Sequence, residues 1–142
     1  MPTQLDLKGF AMDHIGVAVR SLDEGFQFYR ALGYERMEVE LVPEQKVRVG
    51  FLPLQNQMNI ELLESTDETG PIAKFLARRG PGLHHICLRV HDIRGKIEEL
   101  AEQGIQLIDR VPKRGAHGCL VAFVHPASAG GVLIELSEKL DP

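Results

Sequence analysis

One short stretch occurs twice in this chain, and it limits what the chain can fold into more than any other feature. The copies are Asp13-His14-Ile15-Gly16-Val17-Ala18-Val19 and His84-His85-Ile86-Cys87-Leu88-Arg89-Val90. Each alternates with the period of a half-buried strand, so Ile15, Val17 and Val19 share one face, as do Ile86, Leu88 and Val90. The other face carries a histidine followed by Gly16 and Ala18 in one copy, and by Cys87 and Arg89 in the other. A histidine beside small residues on the less apolar face suggests a strand that lines a cavity.

Each copy heads the same succession of elements. After a lead-in over residues 1–11, a strand at about 12–19 ends at Arg20-Ser21, and Ser21 with Glu24 forms a capping box. Leu22, Phe26, Tyr29 and Leu32 then recur at helical spacing up to Gly33, a helix stop. Strands follow at 36–42 and from Val47 to a break at Pro53, separated by a Pro43-Glu44-Gln45 turn, and another at Met58–Leu63. In that last strand Glu61 shares a face with Asn59 and Leu63. Residues 70–80 predict a connector helix, with Pro71 in its first turn, Arg78 and Arg79 in its last, and Gly80 after it. The succession then restarts: the His85 strand, a helix capped by Asp92 and stopped by Gly104, and strands at about 105–111, 118–125 and 131–137. The same offset of 71 residues separates His14 from His85 and Gly33 from Gly104, and an offset of 74 separates Glu61 from Glu135. Agreement in element order, caps and polar positions identifies a duplicated βαβββ unit. The expectation is an α+β chain, one domain over residues 1–142, with module one at about 12–64 and module two at about 82–138. The paired modules are expected to form a curved, partly open eight-stranded sheet.

A formal charge of -4 and a pI near 5.8 argue against a general nucleic-acid surface and leave room only for a local basic pocket. No apolar run approaches a membrane span, and no basic-then-apolar leader opens the sequence. Cys87 and Cys119 have neither zinc-ribbon nor redox spacing and read as reduced thiols of a cytoplasmic protein.

If the two units pair, His14, Glu61, His85 and Glu135 converge from four strands. Two imidazoles and two carboxylates suit a divalent first-row metal with positions left for water or substrate. A single strand histidine is most often structural, and a strand glutamate usually faces solvent. The weight comes from the equivalent positions in the repeat, and from glutamates set among apolar neighbours, where a carboxylate needs a cation. Alternation turns His84 away from His85 and leaves it structural. Lys113, Arg114, His117 and His125 fall in or beside loops, where solvent exposure is the default and substrate contact the sharper reading.

The repeat and its His/Glu pattern resemble the vicinal oxygen chelate superfamily, and within it the methylmalonyl-CoA epimerase family. The resemblance runs from about residue 12 to 138 and is carried by Asp13–Val19, Pro71–Leu76, Gly82–Val90, Gly115-Ala116-His117-Gly118, Phe123-Val124-His125-Pro126 and Gly130–Leu136. It implies a racemisation at the carbon alpha to a thioester, with a Lewis acid for the enolate oxygen and a base on each face. By position the family's metal ligands fall on His14, Glu61, His85 and Glu135. Cobalt is the first candidate ion, and nickel, manganese and zinc suit the same donors. Some members carry a glutamate base where this chain has Val49. That leaves Glu135 for one face and Glu61, with His117 behind it, for the other. Lys113, Arg114 and His117 are the expected contacts to an acyl-CoA substrate, Lys113 and Arg114 through the CoA phosphates, and a cytoplasmic homodimer is the expected state. A glyoxalase I-type lyase fits the same four ligands, whereas an extradiol dioxygenase would use only three. A drug-binding module of the same fold would need no metal.

Overall fold

The structure is a computed structural model that describes residues 10–140; the lead-in through residue 9 lies outside the described residues. Strand β1 (Ala11–Ala18) is followed by helix α1 (Leu22–Leu32), strands β2 (Glu38–Val42), β3 (Val47–Pro53) and β4 (Asn59–Ser65), and helix α2 (Pro71–Arg79). The repeat continues with β5 (Gly82–Arg89), α3 (Ile93–Glu102), β6 (Lys113–Arg114), β7 (Leu120–Val124) and β8 (Ile134–Glu138). The eight strands form one sheet in the order β2-β3-β4-β1-β5-β8-β7-β6. This is the α+β architecture that the duplicated βαβββ pattern predicts. The chain divides into two compact units, one of His14–His85 with Gly115–His117, the other of the remaining segments; β1 and β5 each run through both.

In the first unit, α1 starts where the Ser21 hydroxyl accepts the Glu24 N–H at 3.1 Å, and stops at Gly33, whose φ of 124° favours glycine. Its Leu22 and Phe26 bury against Val19, Leu52 and Leu62. Helix α2 sends Ile72 and Phe75 into a second cluster with Ala18, Val49, Phe51 and Leu63. Neighbouring strand residues therefore serve opposite clusters, Leu62 one and Leu63 the other, as a period of two requires. One outcome differs from the first impression of the sequence. His14, Gly16 and Ala18 are buried, while Ile15 and Val17 are only partly so. The cluster that receives α2 includes Ala18, so the histidine face of β1 is covered rather than open. At the start of the connector, Thr69 donates to Asp67 through its hydroxyl and its backbone N–H, both at 2.7 Å, which holds the Asp67 carboxyl below its usual range.

In the second unit, Asp92 accepts the Gly95 N–H at 3.1 Å to cap α3, and Ile93 and Ile97 bury with Val90, Ala122, Val124 and Leu136. A further device is repeated. Glu64 on β4 accepts the Leu22 N–H at 2.7 Å, and Glu138 on β8 accepts the Ile93 N–H at 2.9 Å. In each unit the last strand thus satisfies an orphan donor at the start of the helix and places a carboxylate at the positive end of its dipole.

The expected strand at 105–111 does not form; a single bridge, Leu107 to Val124, stands in its place. The Ile108 and Asp109 N–H groups both donate to the Phe123 carbonyl, at 2.9 and 3.3 Å, and the Asp109 carboxylate takes the Phe123 N–H at 2.9 Å. A side chain thus replaces the backbone acceptor, and Pro112 cannot donate. The edge strand is instead Lys113–Arg114, so these two residues belong to a strand and not to a loop. His125 is also more than a solvated loop residue. Its Nδ1 accepts the Ala127 N–H at 2.9 Å and caps a short 3₁₀ turn, Pro126–Ser128.

Leu62 is fully buried beneath α1, on the face away from the histidines. Leu62→Ala is expected to lower unfolding free energy by about 3 kcal/mol in urea titrations, leaving activity at low temperature largely intact.

Candidate metal centre and active site

The parallel pairing of β1 with β4 places Gly16 opposite Glu61. Partners in register project to the same side of the sheet, so Glu61 joins His14 on its face. Its Oε2 lies 3.1 Å from His14 Nδ1, and both side chains are buried. His85, buried at the end of the same unit, brings its Nε2 to 3.0 Å from His14 Nε2, with the rings edge to face at 83°. His84 Nδ1 is 2.9 Å from His85 Nδ1, and its ring lies edge-on to Phe75. His84 therefore supports His85 and does not turn away from it as alternation predicted. The result is ordered: each Nδ1 is engaged, by Glu61 or by His84, and each Nε2 is aimed at the other.

Two imidazole nitrogens at that distance need a proton or a cation between them. Nitrogens each about 2.1 Å from one ion, and at right angles about it, would be separated by about 3.0 Å. A carboxylate or a second polar group on the far ring nitrogen is the usual means of orienting a ligating histidine. The donor set of the first unit therefore fits a divalent cation.

The approach of the two rings depends on Gly16. A Cβ at that position would stand 2.3 Å from His85 Cε1 and within 2.8 Å of both ring nitrogens. Glycine is used here for space, since a β-carbon and the His85 ring cannot occupy the same place.

Glu135 belongs to the second unit. It is buried on β8, in register with Cys87 on β5 and with Phe123 on β7. Along β5, alternation places Cys87 on the same strand face as His85. Two residues further on, the buried Ser137 hydroxyl has no hydrogen-bond partner among the described residues. Lys113 Nζ is 3.4 Å from an Asp109 oxygen and sits over the Phe123 ring, while Arg114 is exposed. Val49, in register with Glu40, is buried and offers no proton acceptor.

His117 packs into the first unit. Its backbone N–H donates to both Glu40 oxygens, at 2.9 and 3.2 Å, and its ring stacks on Phe51 with centroids 4.2 Å apart. No local pattern marks Glu40 or Phe51 as its partners, because they lie 77 and 66 residues away along the chain.

Residues 13–123 match the Glyoxalase/Bleomycin resistance protein/Dioxygenase superfamily, and the chain belongs to it. Among similar proteins, an uncharacterized Bacillus subtilis protein, YqjC, is 40% identical over 89% of this chain and 91% of its own length. The mitochondrial methylmalonyl-CoA epimerase of Dictyostelium discoideum is 38% identical over 90% of this chain and 78% of its own. The crystal structure of methylmalonyl-CoA epimerase from Mycobacterium tuberculosis superposes with a TM-score of 0.87 at 35% identity, covering 99% of this chain and 94% of that one. Within the superfamily, the chain belongs with the methylmalonyl-CoA epimerases.

Gly16→Ala is expected to displace the His85 ring and weaken Co²⁺ binding tenfold or more, about what the loss of ligand orientation costs. Calorimetric titration of the variant, with circular dichroism as the control for folding, measures this.

Proposed function

We propose that this protein is a metal-dependent epimerase that interconverts the 2R and 2S forms of methylmalonyl-CoA. The observation that carries the reading is the facing pair of Nε2 atoms, each ring fixed through its far nitrogen. The names of the relatives supply the substrate. His14 and His85 hold the cation through their Nε2 atoms, Glu61 orients His14 from the far ring nitrogen, and Glu135, at the position equivalent to Glu61 in the second repeat, is the further candidate ligand. Bound there, a divalent ion of the cobalt, nickel, manganese or zinc type supplies Lewis acidity toward the thioester carbonyl oxygen.

The chain's own residues handle the proton. The carbon between the thioester and the free carboxylate is the acidic centre. A Glu135 carboxylate oxygen accepts its proton on one face and can return it there. Burial of Glu135 keeps bulk water from that step. Glu61 was the sequence candidate for the opposite face. Its contact with His14 Nδ1 supports orientation of that ring instead. Arg114, exposed on its edge strand, is the more available cation for the CoA phosphates, since Lys113 is already paired with Asp109.

The protein is further expected to act in the cytoplasm as a homodimer. Neither Cys87 nor Cys119 is in a disulfide, and no helix among the described residues is long and apolar enough to cross a membrane. Phe28 and Leu32, one turn apart on α1, are 64% and 63% exposed, an apolar pair that a second subunit would cover.

Purified protein is expected to exchange the α-proton of methylmalonyl-CoA with solvent deuterium, to stop doing so after chelation, and to recover with Co²⁺. Glu135→Gln should lower epimerisation at least about 100-fold, the contribution of a positioned general base. Lactoylglutathione lyase activity without epimerisation would overturn the reading.

A further inference from the structure

We infer that the connector helix α2 is an arm of the metal centre: Phe75 fixes the ring of His84, and His84 in turn sets the tautomer in which His85 meets the cation. Both are positioning residues, since neither places an atom on the ion, and the inference rests on the reading of His14 and His85 as its donors. Every residue involved lies within the unit of His14–His85.

The nitrogen that a histidine gives to a cation must be unprotonated. His85 Nε2 faces His14 Nε2 at 3.0 Å, so with a cation between them the single ring proton of His85 resides on Nδ1. That atom lies 2.9 Å from His84 Nδ1, which is therefore the acceptor, with the His84 proton on Nε2. The two donors are oriented by different means. His14 Nδ1 has a carboxylate oxygen of Glu61 at 3.1 Å, whereas His85 Nδ1 has a neutral ring. A charged acceptor holds a ligating imidazole more strongly than a neutral one does. The His85 side of the centre therefore depends on how firmly the His84 ring is held.

That ring is held from α2. Its centroid is 5.1 Å from that of Phe75 with the planes at 81°, an edge-to-face pair. Phe75 is itself buried in the cluster that includes Ile72, Ala18 and Val49, and the Arg79 guanidinium, one turn on, lies 5.9 Å from its ring centroid. Helix α2 ends at Arg79, the Gly80 N–H closes onto the Leu76 carbonyl at 2.8 Å, and β5 begins at Gly82. This tight link returns the chain so that His84 meets Phe75. Along a regular strand His84 and His85 would point to opposite faces. The edge of Phe75 receives the His84 ring in the orientation that brings its Nδ1 to His85 instead.

Calorimetric titration of metal-free protein with Co²⁺, with circular dichroism as the control for folding, separates the two contacts of His84. His84→Phe keeps an aromatic ring for Phe75 and removes the acceptor; it should weaken Co²⁺ binding about tenfold or more. His84→Asn removes the ring but sets an amide oxygen near the position of Nδ1, and should bind within about threefold of wild type. Phe75→Leu keeps apolar volume without the edge-to-face pair and should weaken binding about fivefold. In Zn²⁺-loaded protein the His85 Nδ1 proton should give a slowly exchanging NMR resonance in wild type and His84→Asn, and none in His84→Phe. A packing role alone predicts the reverse order of affinities, with His84→Phe near wild type and His84→Asn weakened, and that result overturns the assignment. Unchanged affinity in all three variants also overturns it, as does a Zn²⁺-loaded wild type in which His85 carries its proton on Nε2. Wild-type protein that binds no Co²⁺ would instead defeat the reading of His14 and His85 as donors, and the assignment with it.

Discussion

Two imidazole nitrogens held 3.0 Å apart inside a sheet are the constraint to which the surrounding sequence answers. Burying polar rings without partners costs several kcal/mol, so every atom near them must be placed. Glu61 and His84 occupy the far nitrogens. Gly16 yields the volume the His85 ring needs, and Phe75 closes on the edge of His84. None of these residues makes sense as packing alone. A leucine or valine at each position would give a better core, and a sequence retains such a cluster where specificity or chemistry requires it.

The duplication explains how one chain assembles this arrangement. Each repeat brings the same framework: a histidine on its first strand, a capped helix, and a last strand whose glutamate holds the helix start, Glu64 to Leu22 and Glu138 to Ile93. The framework is shared, and so are the candidate donors, His14 with His85 and Glu61 with Glu135, but their surroundings are not. Where the first copy has Gly16, the second has Cys87. Where the edge strand of the first copy is β2, with Glu38 and Glu40, the second has the two-residue strand Lys113–Arg114. What the copies share sets the framework and the candidate donors, and where they differ sets the surroundings of those donors.

That division also sets what the sequence can disclose. Alternation, the Ser21 and Asp92 caps and the Gly33 stop are local signals, and the corresponding strands and helices form where those signals place them. Paired positions in a repeat are nearly as legible, since offsets can be read without knowing the fold, and His14 and Glu61 do lie together. What failed was of another kind. The 105–111 segment has strand composition, but the Asp109 carboxylate takes a bond that the backbone would otherwise make. The His84–His85 contact defies simple alternation because neighbouring rings at a strand start can swing toward each other. Glu40 and His117 meet across 77 residues, and no periodicity encodes that.

His14, His85, Glu61 and Glu135 are buried, whereas His117 is open to water. A carboxylate sealed from bulk water exchanges a proton with it less readily. A proton on an exposed imidazole equilibrates with solvent. The same donor set supports other reactions on this fold. In the first unit the donors have a buried, apolar Val49 on a nearby strand and a histidine, His117, in a left-handed conformation that glycine would adopt more easily.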